Sequence, residues 1–246
     1  MGVVASVHIT DLGVLRTLPR LRSVPRPGSI GGLRHAEVAV AAPLRARRGP
    51  PIPTFSRVAL IALWDSDDAV SEFLGEHRLA AKFASGWHAR LEPLRAFGAW
   101  PGLPDDLSRD RTTDYDGPAV VLTLGRVRIS RVPRFLRTSR RAETSANASP
   151  GMLWGTALAR PPFVATCSVW ESTRALAAYA YGQRDPGHPE AITADRSKPF
   201  HRRSAFVRFR PYAMNGSLAG KNPLPESVVA QVTTGARDRE HARHAT

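Results

Sequence analysis

The sequence is poor in cysteine and has no long hydrophobic run, and each shortage excludes a class of protein. Cys167 is the only cysteine among 246 residues, so neither an intrachain disulfide framework nor a cysteine-rich metal centre can form. The longest apolar run, Val58 to Trp64, is far shorter than the roughly 20 residues that a membrane-spanning helix needs. We therefore expect a cytoplasmic protein.

Lysine is also scarce, although the chain is strongly basic. Arginine supplies all but three of the 35 basic residues, and the formal net charge is +14. Such a charge raises the possibility of a nucleic-acid partner. The preference for arginine, together with abundant alanine and proline, is typical of the coding bias of a GC-rich genome, so we give the charge little weight. A hydrophobic content of 42% supplies a core and argues against global disorder.

One short junction occurs twice in the chain. The segment "LWDSDDAV" begins at Leu63, and "VWESTRAL" begins at Val169. In both, an apolar, β-rich run ends at a tryptophan, and a serine then stands where it can cap a following helix. "TLPRLRSV" and "RVPRFLRT" form a second pair of similar segments in the same order. These echoes indicate an internal duplication.

The periodicities of each half predict the order β-α-β-β-α-β, which specifies a ferredoxin-like unit. The predicted fold is therefore α+β, with tandem ferredoxin-like repeats that form a dimeric-type α+β barrel and enclose a cavity between them. We expect repeats at 1–100 and 117–228, a linker at 101–116 and a disordered tail at 229–246. Pro93, in the last strand of the first repeat, favours an edge position for that strand.

The histidines are the best leads to chemistry, because the Walker, Rossmann, HExxH and GxSxG motifs are all absent. His188 stands in "RDPGHPEAIT", where proline and glycine interrupt the second-repeat helix. A turn residue or helix cap is the ordinary interpretation. The functional interpretation is an axial ligand, since a neutral imidazole is the usual proximal ligand of haem. His201, just before the closing strand, is interpreted as a surface residue.

Arginines and aromatic residues of the second half supply the other candidates. Arg131 and Arg134 belong to a series that is ordinarily a solvated helix face, but a guanidinium also binds carboxylates such as haem propionates in a bidentate manner. Five aromatic residues are most simply core, and alternatively line an apolar substrate channel. They are Trp154, Trp170, Tyr181, Phe200 and Phe209.

Three segments of the second half carry a family resemblance: "PFVATCSVWES", "GHPEAI" and "FHRRSAFVRFRPYAMNGSLAGKNPL". With "ALWDSDDAV" in the first half, they make the chain resemble the spheroidene monooxygenase-like family of bacterial carotenoid-modifying oxygenases. The resemblance implies haem-dependent oxidation of a hydrophobic substrate, with O₂ and an electron donor as partners, and His188 as the iron ligand. The chain departs from the family in being rich in arginine and poor in aromatic residues between the repeats, and "RSKPFHRRSAF" replaces a more acidic, tryptophan-containing segment. The substrate is therefore left as a carotenoid or another apolar metabolite.

Other functions remain open on the same fold. They are a haem-dependent dehydratase or rearrangement enzyme, a cofactor-free barrel or noncatalytic ligand binder, and an RNA-binding ferredoxin-like module. "RRSAFVRF", residues 202–209, matches part of the RNA-recognition signature but lacks its glycine and first aromatic residue. We therefore expect no stable nucleic-acid partner. A homodimer and a peripheral membrane contact, which would give access to a lipophilic substrate, are the further partners considered.

Overall fold

A computed structural model describes residues 2–44, 55–110, 113–181, 200–218 and 220–234 of the chain. The first repeat contains β1 (Val4–Asp11), α1 (Val14–Arg20), β2 (Leu33–Pro43), β3 (Arg57–Trp64), α2 (Asp67–Glu76), α3 (Arg78–Ala81) and β4 (Trp87–Gly98). The second contains β5 (Ala119–Val127), a 3-10 turn (Ile129–Arg131), α4 (Val132–Ala148), β6 (Met152–Arg160), β7 (Phe163–Trp170), α5 (Thr173–Tyr181) and β8 (His201–Asn215). A further helix, α6, covers residues 226–234. None of the helices described here has the length and apolarity to cross a membrane.

The eight strands form one closed antiparallel barrel in the order β1-β3-β2-β6-β7-β5-β8-β4. Each repeat contributes four adjacent strands, and the repeats join where β2 pairs with β6 and where β4 pairs with β8. The prediction of an α+β barrel built from two ferredoxin-like repeats is confirmed. Because the sheet closes on itself, it has no free edge.

The inside of the barrel is the main hydrophobic core. Alternate residues of all eight strands point inward and pack into one cluster of buried side chains, in which Trp87 of β4 lies 5.2 Å from Trp154 of β6. The enclosed cavity that we expected between the repeats is occupied by this cluster. Both sheets present leucine, valine and aromatic side chains inward, and these interdigitate as in any close-packed interior.

Two local predictions are corrected. The strand with Pro93 is not at an edge, because β4 lies between β1 and β8. Pro93 is tolerated there because the register shifts between Pro93 and Arg95, and such an irregularity interrupts the regular hydrogen-bond ladder. The tail predicted to be disordered from residue 229 is helical to residue 234, and its Val232 is buried against the barrel. Residues 235–246 lie outside the described part.

A buried carboxylate joins the two repeats at one seam of the barrel. The Glu37 side chain on β2 is 1% exposed and accepts hydrogen bonds from Arg126 of β5 and Arg160 of β6, the latter at 2.7 Å. His35 Nε2 lies 3.1 Å from the same carboxylate. The Glu37 carboxylate thus pairs with two arginines of the other repeat. These contacts fix the position of the two repeats relative to each other.

Glu37→Gln is expected to lower the free energy of unfolding by about 2 kcal/mol. Breaking a fully buried ion pair costs about 3–5 kcal/mol, and the loss is smaller here because both arginines are partly hydrated. Urea unfolding measures the change. The control is Asp65→Asn, which removes an exposed pair with Arg34 and should cost no more than about 1 kcal/mol. Equal losses in the two variants would contradict the role assigned to Glu37.

The outer face of the first sheet is covered by α2 and α3, and His8 is buried under them. Its ring lies 5.9 Å from Phe73, 6.0 Å from Phe83 and stacks on His88 at 5.9 Å. Burial lowers the pKa of His8 to about 3, and the charges of His88 and Arg90 act in the same direction. His8 is therefore held in its neutral form.

This burial predicts a pH dependence of stability. Below about pH 6.5 the unfolded chain takes up a proton at His8 that the folded protein does not bind until about pH 3. The contribution of neutral His8 to the free energy of unfolding is therefore fully present above about pH 6.5. It falls by up to about 1.4 kcal/mol per pH unit as the pH drops from there towards about 3. His8→Leu should flatten the curve of unfolding free energy between these limits, although His88, whose pKa is also lowered, keeps part of the slope. An unchanged slope would contradict the prediction.

Candidate functional site

The outer faces of the two repeats differ sharply, although the repeats share one topology. On β3 the outward residues are at most 1% exposed; they are Val58, Leu60, Ala62 and Trp64. The residues in the same places on β7 are Val164, Thr166, Ser168 and Trp170. Only the tryptophan is buried among these four, and the other three are partly exposed. The second repeat thus leaves part of its helix-covered face accessible.

This accessible area continues onto β5, where Val121 and Thr123 are also partly exposed. Val121 pairs with Ser168, and Thr123 pairs with Thr166. We call the five residues Val121, Thr123, Val164, Thr166 and Ser168 the floor. Their short side chains give two apolar and three hydroxyl-bearing positions, on which an apolar ligand with a few polar groups can lie.

His201 lies at one end of the floor, at the start of β8. Its ring stands over Gly125, where an added Cβ would lie 2.7 Å from the imidazole, and Val164 lines the same spot. Phe135 of α4 covers the ring at 5.5 Å, and Phe200 lies 4.7 Å away. The glycine provides the room for a half-buried imidazole between the sheet and α4.

The other end of the floor is closed by α5. Tyr179 stacks on Trp170 at 5.0 Å, and the indole Nε1 of Trp170 donates to Ser168 Oγ at 3.0 Å. Ser172 caps the helix by accepting from the backbone N–H of Ala175 at 3.0 Å, as the repeated junction predicts. The accessible residues therefore lie between the contact of α4 with His201 and the contact of α5 with Trp170.

Two arginines stand side by side along the edge of the floor. Arg208 of β8 pairs with Val121, and on its other side it pairs with Arg95 of β4. They are 6% and 8% exposed. Arg95 donates to the hydroxyl of Tyr181 at 2.9 Å and to the carbonyl of Arg109 at 3.1 Å. Burial lowers the pKa of Arg208, the charge of Arg95 lowers it further, and Tyr181 acts in the opposite direction.

The predicted pocket residues lie on both sides of the sheet. Trp154 and Phe209 belong to the barrel interior. Trp170 lies beneath α5, Phe200 lies beside His201, and Tyr181 is half exposed and accepts from Arg95. The structure therefore brings three of the five to the borders of the floor.

The predicted cofactor-binding residues that the structure describes lie outside the floor. Arg131 is exposed in the 3-10 turn, and Arg134 is partly buried in the first turn of α4. His188 lies outside the described residues. Within the described part no three metal-ligating side chains form a cluster. Cys167 points into the barrel, where burial raises the pKa of its thiol to about 12, so it is a core thiol.

Sequence reasoning missed the five residues of the floor and three residues at its borders: His201, Arg95 and Arg208. Arg208 alone left a signal, because it is a charged residue inside the apolar alternation "AFVRF". His201 was interpreted as a surface residue, and its place over Gly125 depends on a pairing between distant strands.

Comparison with solved structures agrees with the barrel. A crystal structure of aldoxime dehydratase superposes with a TM-score of 0.51 at 9% sequence identity, over 85% of this chain and 81% of that one. At this identity the similarity shows the fold alone. No family model matches the sequence.

Three curated relatives share sequence with most of the chain. Spheroidene monooxygenase of Rubrivivax gelatinosus is 30% identical over 175 residues, which are 69% of this chain and 66% of that protein. The enzymes of the same name from Rhodobacter capsulatus and Cereibacter sphaeroides are 25% and 22% identical, over 74% of this chain and 78% and 57% of theirs. The match thus spans about two thirds of the first relative's length. The chain belongs to the spheroidene monooxygenase-like family.

Proposed function

We propose that the protein is a haem-dependent monooxygenase that oxidises a hydrophobic substrate, a carotenoid or another apolar metabolite, on the floor of the second repeat. The observation that carries the proposal is the contrast between the two repeats. The same face is filled by Leu60 and Ala62 in one and left accessible at Thr166 and Ser168 in the other. The names of the three relatives support monooxygenase chemistry.

The residues around the floor fit a haem. A haem is a flat, mostly apolar macrocycle with two carboxylates, and the floor carries only small side chains on two neighbouring strands about 5 Å apart. Arg95 and Arg208 offer buried cations at one edge for the carboxylates. His201 offers an imidazole at one end of the floor, and the predicted ligand His188 belongs to the segment that joins α5 to β8.

Each part of the site then has a defined role. When bound, the haem iron supplies oxygen activation, while the chain supplies position and polarity. Val121 and Val164 would pack against the apolar macrocycle and keep water from it, and the hydroxyls of Thr123 and Thr166 would give the floor polar contacts beneath it. Insertion of one oxygen atom into a C–H bond consumes O₂, two protons and two electrons from a donor, and releases water.

The barrel geometry favours a small-molecule function over the RNA-binding alternative. RNA-recognition units stack bases on the open face of their sheet, opposite the helices. Here that face is the barrel interior, and Val207 and Phe209 of the partial signature are buried inside it. An RNA strand would have to open the barrel to reach them.

The first test is an absorbance titration with haem. The wild-type protein should develop a Soret band at one equivalent, and replacing the iron ligand should weaken haem binding at least tenfold. His201→Ala and His188→Ala are compared, with His241→Ala as the control. Failure of the wild-type protein to develop the band would contradict the haem proposal. Full binding by both single variants would contradict histidine ligation by either residue.

The second test converts the floor into its filled counterpart. Thr166→Leu places on β7 the residue that β3 carries at Leu60, so it should keep or raise the melting temperature while reducing haem binding at least tenfold. The reverse change, Leu60→Thr, removes buried apolar volume and should cost about 2–4 kcal/mol. Haem binding by Thr166→Leu at wild-type strength would show that the ligand does not lie on the floor.

A further inference from the structure

The two arginines at the edge of the floor form an unfavourable pair unless an anion joins them. Arg95 and Arg208 are directly opposite each other on neighbouring strands, where side chains begin about 4.5–5.5 Å apart and like charges repel. Both residues are more than nine-tenths buried. Because the residues are mostly buried, less water screens this repulsion than at an exposed pair.

Their partners do not compensate the charge. Arg95 donates to two neutral oxygens, the hydroxyl of Tyr181 and the carbonyl of Arg109. Among the described residues, no carboxylate forms an ion pair with either arginine, and the side chain of Arg208 donates no hydrogen bond to another described residue. Arg126 and Arg160 of the same barrel differ in this respect, because both form ion pairs with the Glu37 carboxylate.

We propose that Arg95 and Arg208 form a carboxylate-binding site for an amphipathic ligand whose apolar body lies on the floor. A guanidinium is a planar fork of N–H donors that binds a carboxylate through two hydrogen bonds, and the side chain of Arg208 donates to no other described residue. The floor begins at Val121, directly beside Arg208, so one ligand reaches both. Tyr181 holds Arg95 in place through its hydroxyl.

Two kinds of ligand carry this chemistry: haem, through its propionates, and an apolar substrate that ends in a carboxylate. The haem version rests on the proposed function, whereas the carboxylate site itself does not. Oleate serves as the probe for the second kind. Haem dimethyl ester, in which both propionates are blocked, separates the carboxylate contribution from that of the macrocycle.

The decisive variant is Arg208→Met, which removes the charge and keeps the volume of the side chain. Without ligand it should melt at the same temperature as the wild-type protein or higher, because the repulsion is gone. Whichever of haem and oleate the wild-type protein binds, the variant should bind it at least tenfold more weakly. Its affinity for haem dimethyl ester should equal that of the wild-type protein. Arg208→Lys should fall between the two, since it keeps the charge but loses the bidentate fork. Arg202→Met, on an exposed residue of the same strand, is the matched control.

The outcomes separate this site from the haem proposal. If the wild-type protein binds oleate but not haem, and Arg208→Met loses oleate, the carboxylate site stands and the haem function fails. If Arg208→Met binds haem and oleate as tightly as the wild-type protein, the site is overturned. A lower melting temperature with unchanged affinities likewise overturns it, because Arg208 would then be structural. Should Arg208→Met fail to fold, the same titrations on Arg95→Met decide the question.

Discussion

Closure of the barrel is the constraint on which the other features depend. Once β2 pairs with β6 and β4 pairs with β8, one face of each sheet is sealed inside a common core. The core contains the inward apolar residues of both repeats, among them Trp87, Trp154 and Phe209. Among the described residues, the accessible part of the second repeat's strands, the floor, lies on the side of the helices. The shared ion pairs of Glu37 hold the repeats in this arrangement.

Each of the two repeats has one sheet face covered by helices, and the two faces differ in how fully side chains fill the space beneath the helices. In the first repeat, large side chains such as Leu60, Trp64 and Phe73 fill the space beneath the helices. In the second, valine, threonine and serine leave it partly open. Proteins depart from good packing and full charge compensation mostly at functional sites. The floor of the second repeat shows the first departure, and the pair Arg95–Arg208, at the seam between β4 and β8, shows the second.

The borders of the floor come from four separate parts of the chain. Arg95 belongs to β4 of the first repeat, whereas His201 and Arg208 lie at different positions along β8. The helices α4 and α5 contribute Phe135, Tyr179 and Tyr181. These groups come together because the closed barrel pairs strands that are far apart in the chain.

The sequence alone determined the duplication, the order of elements and the helix caps, since each follows from short-range periodicity or from a serine beside its own helix. Ser66 and Ser172 are examples, and both accept from the backbone three residues later. Only the tertiary structure decided which aromatic residues enter the core, where the accessible face lies and that Arg95 meets Arg208. These facts depend on register between strands far apart in the chain, and a shift of one residue in that register would turn every side chain to the opposite face.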